Sequence, residues 1–489
     1  MKVSENIFIA EPKWFSDFYQ RPHLNPLLEK RRGQDCEIRK PLYVEYKNGL
    51  VCKPKNTQFI LWILLFVFST FFAASRTNSQ TLMDSSLAGK MITSIQIQGN
   101  DKTHPSVILR EMKLKEGDPL DLEQLEKDRK HIQNLNLFNR VLMVTEQEKD
   151  NVLLKIVVTE QWYVFPFPIV FVNERDWKKI SYGLGLSHLN FRGRAETLVF
   201  SFWLGYNPSV HLDYTNPWMG GTRNLFTQVA FFYNQIRSKH YTDERITENH
   251  LGFQWELGKR FGYTTFLSFN LGYKEVQFAP AFPGQTLSPK GKDRIPHLGI
   301  LLTWDCRDLK EYPHTGWYLH FSLQKSGFPS LMADYLKYRF ELRTYVPLGL
   351  QRTLALRTKA ELSSGQIPLY DRLYLGYSER IRGHFFDTSE GENMVLASMA
   401  LRIPIVPIRY FHLPDRPELN NLKFGISLGF FADTGLTWFQ NEHVRASMLQ
   451  SGYGFGIHFH LPYIHVLRLE MAFDEKGNEQ FIADLHVDI

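Results

Sequence analysis

Hydrophobic and polar residues alternate along the chain from residue 163 to its end. In one segment Leu198, Phe200 and Phe202 share a face, and in another Phe455 and Ile457 do so. A period of two residues predicts β-strands with one apolar face. Most segments run about ten residues or more, which exceeds the roughly five or six of an average soluble strand and suits the about 9–11 of a membrane strand.

Two architectures use such strands differently. A soluble sandwich buries the apolar faces between two sheets, whereas an outer-membrane barrel turns them to lipid and keeps the polar faces in its lumen. The strand lengths and the lack of a disulfide framework favour the barrel. We therefore predict an all-β, 16-stranded antiparallel transmembrane barrel over residues 163–489, with strands at 163–172, 179–190, 194–206, 208–215, 222–235, 246–258, 263–276, 295–305, 315–326, 335–347, 351–363, 392–404, 422–432, 451–461, 466–474 and 479–488.

The strand number is even, as in single-chain bacterial barrels, and successive antiparallel strands are joined alternately by outer loops and inner turns. With the first strand rising from the periplasm, the longest outer loops are 277–294, 364–391 and 433–450. The inner turns are short apart from 405–421. Residues 364–391 therefore form the sixth outer loop, called loop six below.

A compact α+β unit at residues 92–160 precedes the barrel. ITSIQIQGN alternates isoleucine with polar residues and ends in a Gly-Asn turn, which predicts a strand. Pro105 opens a short helix that runs to Met112, and Asp121 is placed to cap a second helix. The order β-α-α-β-β resembles a POTRA (polypeptide-transport-associated) domain, with a generic small α+β domain as the alternative. The predicted elements after the first helix are residues 122–133, 139–147 and 151–160.

One strongly apolar segment, FILWILLFVFSTFFAAS, occupies residues 59–75. It lies at the short limit of a membrane-spanning helix, and it ends in the small residues of a signal-peptidase site. The polar N-terminal extension, residues 1–58, is too long for an ordinary leader. Two explanations remain: an uncleaved anchor, or a signal peptide whose translation starts near Leu50, which the signal-peptide pattern favours. Residues 76–91 are predicted to be a linker.

Composition narrows the possible partners. The 489 residues carry a net charge of +6, and residues 1–58 account for +4 of it, with 11 basic against 7 acidic side chains. The remainder is close to neutral, so nucleic acid is not expected as a partner. Of the three cysteines only Cys306 lies beyond residue 58, so no intrachain disulfide framework is available to the main body.

Four motifs follow one another in the barrel region: TNPWMGGTRN at 215–224, WDCRDLKEYPHTGW at 304–317, ERIRGHFF at 379–386 and FFADTGLTW at 430–438. With the single POTRA-like unit they resemble the BamA/TamA outer-membrane assembly and translocation superfamily, also called the bacterial surface antigen family. The resemblance covers residues 92–489. It implies an α+β POTRA domain in the periplasm, followed by the barrel in the bacterial outer membrane.

The resemblance implies a latch inside the barrel. In the family, loop six folds back into the lumen and its arginine pairs with the aspartate of the strand motif, which here means Arg382 with Asp433. A planar guanidinium suits bidentate contact with a carboxylate, and Gly383 permits a tight turn. The alternative is that the loop arginines are solvated charges. Supporting positions in the two motifs are Arg380, His384, Phe385, Phe431 and Gly435.

Two departures from the family pattern stand out. Many relatives carry a glutamate on the strand after loop six, where this chain has Ala400. We expect Glu390 or Glu392 to replace it as the second acidic partner of Arg382. The chain also ends His-Val-Asp-Ile rather than in an aromatic residue, so Phe481 and Leu485 are left to supply the targeting signal of the last strand.

The sequence contains no constellation that calls for catalysis. His458 and His460 lie close to His465, but no Cys, Asp or Glu completes a zinc-ligand set. Ser363-Ser364-Gly365 lacks the flanking glycine of a nucleophile elbow, and no phosphate-binding or dinucleotide motif appears. We therefore predict that the protein is not an enzyme and needs no metal or cofactor.

Three functions remain open at this point. The first is assisted insertion or assembly of outer-membrane proteins, with the POTRA domain engaging unfolded clients by strand addition. The second is translocation of a partner polypeptide through the lumen, and the third is a plain barrel without chain transport. The expected partners are outer-membrane lipids, unfolded outer-membrane or secreted polypeptides, and periplasmic or membrane accessory proteins.

Overall fold

A computed structural model describes the chain from residue 85 to 485, without residues 174–177, 220–223, 239, 242–244, 329–332, 377–378, 385–388, 412–419 and 464. The predicted extension, apolar segment and most of the linker lie outside the described residues. Over the part described, no helix is both long and apolar enough to cross a bilayer.

Residues 92–160 fold as the predicted β-α-α-β-β unit. The central strand β3 pairs in parallel with β1 and antiparallel with β2. The Asp121 carboxylate caps α2 by accepting from the backbone N–H groups of Glu123 and Gln124, at 2.9 and 3.2 Å. The elements are β1 (Ile92–Gln98), α1 (Pro105–Leu109), α2 (Leu122–Gln133), β2 (Phe138–Glu148) and β3 (Asn151–Glu160).

The core of this domain extends further towards the N-terminus than predicted. Leu87 is 1% exposed and packs in the same cluster as Ile108, Leu125 and Ile156. The linker prediction is therefore wrong for residues 85–91, because Leu87 belongs to the apolar core of the domain and Met91 forms a bridge with Pro119.

The rest of the described chain forms one antiparallel sheet in which each strand pairs with its neighbours in sequence. The order runs without a crossover from β4 at one end to β21 at the other, and all sixteen predicted strands are present. Its strands are β4 (Val164–Val172), β5 (Ile180–Phe191), β6 (Glu196–Gly205), β7 (Ser209–Met219), β8 (Leu225–Arg237), β9 (Thr247–Phe261), β10 (Thr265–Ala279), β11 (Lys292–Asp305), β12 (Gly316–Gly327), β13 (Asp334–Pro347), β14 (Thr353–Gly365), β17 (Asn393–Phe411), β18 (Leu422–Trp438), β19 (Gln450–Leu461), β20 (His465–Asp474) and β21 (Glu479–Asp484). Loop six adds a short hairpin, β15 (Leu373–Leu375) with β16 (Ser389–Gly391).

The two faces of the large sheet differ as a membrane barrel requires. On β10 the outward Phe269 is 57% exposed, whereas Ser268 and Asn270 on either side of it are buried. The same alternation puts Leu184 and Phe455 outside. Apolar side chains thus face outward and polar ones line the interior, which confirms a transmembrane barrel in place of a soluble sandwich.

Two predicted loops are shorter than expected because their strands continue. β17 runs to Phe411 rather than 404, with pairing irregularities between Pro404 and Arg409. β18 runs to Trp438, so Asp433 lies within a strand and not at the start of a loop. Residues 434–438 continue the alternation of buried and half-buried side chains and stay paired with β17.

The sheet curves until its two ends approach each other. The rings of Phe165, on β4, and Tyr463, in the turn after β19, have centroids 5.8 Å apart. Among the described residues, however, β4 and β21 exchange no ladder hydrogen bonds and remain the two free edges of the sheet. We call this junction of β4 and β21 the seam.

Candidate functional site

Loop six lies inside the barrel rather than above it. Ile381 at its tip is fully buried against Leu375, Met394 and Leu396. A cavity of about 1100 Å³ occupies part of the lumen, and its lining includes Asp371 of the loop. The loop therefore fills space that would otherwise belong to the lumen.

Arg382 makes the central contact of the loop. Its Nε and Nη2 atoms donate to the two oxygens of Asp433 at 2.7 and 2.8 Å, and its backbone N–H donates to the same carboxylate at 3.1 Å. The guanidinium also lies 3.7 Å from the ring centroid of Phe431. Arg382 is 8% exposed and Asp433 is 4% exposed, so this arginine is not a solvated loop charge.

The second acidic partner of Arg382 is Glu470, on β20. Its carboxylate accepts from Nη1 at 3.1 Å and is 1% exposed. The expectation of Glu390 or Glu392 is wrong, because the Glu390 carboxylate accepts from Arg372 and that of Glu392 accepts from the backbone N–H of Gln440.

Packing accounts for the small side chain of Ala400 in the barrel wall. Ala400 belongs to a small apolar cluster with Ala355, Phe431 and Ala472. A carboxylate there would be buried among apolar groups, which is unfavourable without a partner. The second carboxylate comes instead from β20, where Glu470 is buried and its neighbours Leu469 and Met471 are half-buried.

The two residues after Arg382 fix the loop against the wall. Gly383 has φ +102°, and a Cβ there would approach the Phe473 carbonyl oxygen to 2.6 Å, so a side chain is excluded. Its N–H donates to the Gln480 side chain at 3.1 Å. The His384 ring contacts the carboxylate of Glu475 at 2.5 Å.

Two further loop charges reach other strands. The Glu379 carboxylate accepts from Lys359 at 2.7 Å and from Arg357 at 3.0 Å, both on β14. Arg380 donates to Asp484 on β21 at 2.5 Å. Loop six is thus tied to strands from β14 to β21. Sequence reasoning did not single out Glu379, although it stands within the quoted motif.

The other residues that the sequence singled out lie at separate places in the barrel or outside the described residues. Gly435 lies on β18, where a Cβ would approach the Val395 carbonyl oxygen to 2.7 Å. Phe385 lies outside the described residues. His458 and His460 face the lumen and hydrogen bond to Tyr312 and Ser427, at 3.0 Å each. Within the described ranges no group of His, Cys, Asp or Glu is arranged to hold a metal ion.

The POTRA domain packs against the inner turns of the barrel. Glu111, which follows α1, accepts two hydrogen bonds from Arg260 at 3.0 Å each. Both side chains are buried, and the Arg260 guanidinium lies 4.9 Å from the Trp218 ring centroid. The Tyr263 hydroxyl donates to the Met112 carbonyl at 2.7 Å. This set anchors the helical side of the domain to the turn between β9 and β10.

Further contacts spread over neighbouring turns. Asn134 donates to the Asp308 carbonyl at 3.0 Å, and Arg140 donates to Asn421 at 3.1 Å. Near the first strand, the Asn190 side chain donates to the Thr103 hydroxyl at 2.9 Å. The domain therefore covers several inner turns at once, which fixes its orientation on the barrel.

We expect His131 of α2 to make this docking sensitive to pH. Its ring stacks on Tyr263 with centroids 4.8 Å apart. Burial lowers the pKa of His131 from its ordinary 6.5, and Lys310 acts in the same direction, although Asp128 and Glu111 oppose it. Because the docked ring resists protonation, we expect docking to be strongest above pH 6.5 and to weaken as the pH falls towards the lowered pKa.

We expect less docked protein at about pH 5.5 than at about pH 7.5. Spin labels at the exposed positions Lys127 and Leu350, in a cysteine-free background, report the distance between the domain and the turn after β13. His131→Phe keeps the stacking and removes the titration, so its docked fraction should not change over this range. An unchanged docked fraction in the wild-type protein would contradict the role of His131.

Comparisons with known proteins fit this architecture. The sequence profile of the Omp85 superfamily domain matches residues 190–483. The POTRA profile, described as a surface antigen variable number repeat, matches residues 91–161. The outer membrane protein assembly factor BamA of Nitratidesulfovibrio vulgaris is 24% identical over 304 residues, which cover 60% of this chain and 37% of that protein. The chain thus spans little more than a third of that relative.

Two solved structures are similar as well. CdiB from Escherichia coli has 13% sequence identity and a TM-score of 0.54, over 82% of this chain and 75% of that one. BamA from Haemophilus ducreyi lacking POTRA domains 1–3 has 17% identity and a TM-score of 0.49, over 81% and 83% of the two chains. The likeness to CdiB supports the fold alone.

The profile match extends over more than half of the chain and includes both the arginine-glycine motif of loop six and Asp433. The sheet has sixteen strands with an apolar outer face, and one POTRA domain sits on its inner turns. The chain therefore belongs to the Omp85 superfamily, as a bacterial outer-membrane barrel with its POTRA domain in the periplasm.

Proposed function

We propose that this protein assists the insertion and assembly of other outer-membrane proteins, which enter the membrane at the seam. The observation that carries the proposal is the contrast between seam and lumen. β4 and β21 have no ladder between them in the described residues, whereas loop six occupies the lumen and is held there by buried ion pairs.

The lumen is bounded at both ends by parts of the same chain. The lining of the 1100 Å³ cavity includes Leu135 and Asn136 of the POTRA domain as well as Asp371 and Leu373 of loop six. A polypeptide that crossed through the lumen would have to displace both. A strand that entered at the seam would meet an edge that is already free, with lipid on one side.

The POTRA domain offers a place for an unfolded client to bind first. β2 lies at the edge of its three-stranded sheet. Asn139 and Arg140, at the start of β2, contact the turn before β18. Among the described residues no strand pairs with the outer edge of β2, and strand addition would use this edge. A client held there lies on the periplasmic side of the barrel.

Reconstitution tests this function directly. A urea-unfolded eight-stranded outer-membrane barrel is added to liposomes with or without the protein, and folding is followed by its shift in gel migration. We expect the protein to speed client folding by about tenfold or more, the effect of lowering a barrier by roughly 1.4 kcal/mol. A rate equal to that of empty liposomes would contradict insertion.

Translocation through the lumen is the second candidate, because the cavity is lined by polar and charged residues such as Lys337, Arg339 and Glu341. A translocator should show large, fluctuating conductance in planar bilayers that rises when loop six is deleted. Depletion in cells separates the two functions as well, since an inserter lowers the levels of many outer-membrane proteins and a translocator lowers a single secreted product.

A further inference from the structure

The periplasmic end of the lumen carries an aromatic pair. Phe226 on β8 and Phe266 on β10 are half-buried and line the 1100 Å³ cavity. Their ring centroids lie 6.0 Å apart, with the ring planes at 74°. Phe226 lies opposite Gly258 on β9, where a Cβ would approach its ring to 2.0–2.4 Å, so the glycine leaves room for the ring against the wall. The interior of such a barrel is otherwise polar, and this part of the cavity wall is apolar.

Positive charge collects beside the aromatic pair. Arg260 lies opposite Phe266 in the β9–β10 ladder, and its guanidinium is 5.4 Å from the centroid of that ring. Lys310, in the inner turn between β11 and β12, is exposed and lines the same cavity. Arg110 of the POTRA domain shares the carboxylate of Glu111 with Arg260. Three cations therefore accompany one carboxylate at this end of the lumen.

Part of this charge is not compensated. Among the described residues, Nε of Arg260 and both Nε and Nη2 of Arg110 are buried without a hydrogen-bond acceptor. The Lys310 ammonium forms no ion pair with a described residue, and the like charges of Arg307 and Arg260 act on it. Arg307 is itself paired with Asp305 at 2.8 Å. Since buried donors are normally satisfied, this cluster has the composition of an anion site.

We propose that the lumen cavity binds an anionic phospholipid, with the phosphate at Lys310 beside Arg260 and an acyl chain along Phe226 and Phe266. Cationic side chains form strong, charge-assisted hydrogen bonds with phosphate oxygens, and an acyl chain is stabilised where it leaves water. The cavity slightly exceeds the roughly 300–1,000 Å³ of ordinary ligand pockets, so it has room for a chain as well as a phosphate. This site goes beyond the proposed function and does not depend on it.

The need for both the head group and the chain is tested by native mass spectrometry of the full-length protein in a non-ionic detergent. The probes are palmitoyl lysophosphatidylglycerol, palmitoyl lysophosphatidylcholine with its zwitterionic head, and glycerol phosphate without a chain. We expect the first to bind about tenfold or more tightly than either of the others. Equal binding of glycerol phosphate would indicate a plain phosphate site, and equal binding of the choline lipid would indicate unspecific insertion. Either result would overturn the inference.

Lys310→Gln removes one cation from the cavity and leaves the strands of the wall unchanged. We expect the preference for the glycerol head over the choline head to fall by about tenfold, and Lys310→Arg to retain it. Lys290→Gln is the matched control, because Lys290 is an exposed lysine of an outer loop. An unchanged head-group preference in a folded Lys310→Gln protein would contradict the phosphate position.

The position of the chain is tested with the same lysophosphatidylglycerol carrying a diazirine at the end of its chain. We expect crosslinks at Phe226 and Phe266 inside the lumen. Leu267, which follows Phe266 and is exposed on the outer face, reports the lipid that surrounds the barrel. Crosslinks at Leu267 without any at Phe226 or Phe266 would overturn the inference.

Discussion

Arg382→Ala is expected to destabilise the folded barrel by about 3–5 kcal/mol, the usual cost of removing one partner from a buried ion pair. The substitution leaves the carboxylates of Asp433 and Glu470 in the lumen without this guanidinium. It also removes the stacking on Phe431. The loss should appear as a lower temperature at which the barrel stops migrating as a folded species in unboiled gels.

Arg372→Ala is the matched control for this substitution. Arg372 also lies in loop six and pairs with a glutamate, Glu390, at 2.8 Å, but both side chains remain about one quarter exposed. Such a pair contributes roughly 0–1 kcal/mol. If both alanine variants changed the transition temperature equally, the latch would have no special role, and an unchanged Arg382→Ala barrel would refute it.

Glu111→Gln is expected to release the POTRA domain from the inner turns. The neutral side chain leaves the Arg260 guanidinium buried between Trp218 and Phe266 without its carboxylate. Loss of one buried charge from such a pair costs about 3–5 kcal/mol. Amide exchange should then rise in residues 105–112 and 260–263, while the barrel strands keep their protection.

Glu123→Gln supplies the same change of charge on an exposed pair of the same domain. Glu123 contacts Lys127 one helical turn away, and both side chains are largely exposed. We expect no measurable change in docking from this variant. Equal exchange in the Glu111 and Glu123 variants would contradict a docking role for the Glu111–Arg260 pair.

The sequence predicts the strands well because their signal is local. Alternating runs such as Leu198, Phe200 and Phe202 need only a period of two, and that period survives in the structure. Glu470 could not be found in the same way, because its contact with Arg382 depends on how far β20 lies from the loop across the sheet. The signal available in the sequence was the presence of charged residues at inward-facing positions of the otherwise apolar β20.

The docking of the POTRA domain on the barrel could not be predicted from the sequence either. Its contacts use turn residues such as Asn134, Asp308 and Asn421, which carry no periodic pattern and resemble any solvated turn.

The central claim is that clients enter the membrane at the seam. The most direct measurement is the folding rate of the client barrel in liposomes with the seam locked by a reducible crosslink between cysteines at Val170 and Phe481, in a background without the native cysteines. The account predicts that the locked protein loses its acceleration of client folding and recovers it on reduction. Undiminished acceleration by the locked protein would contradict the account.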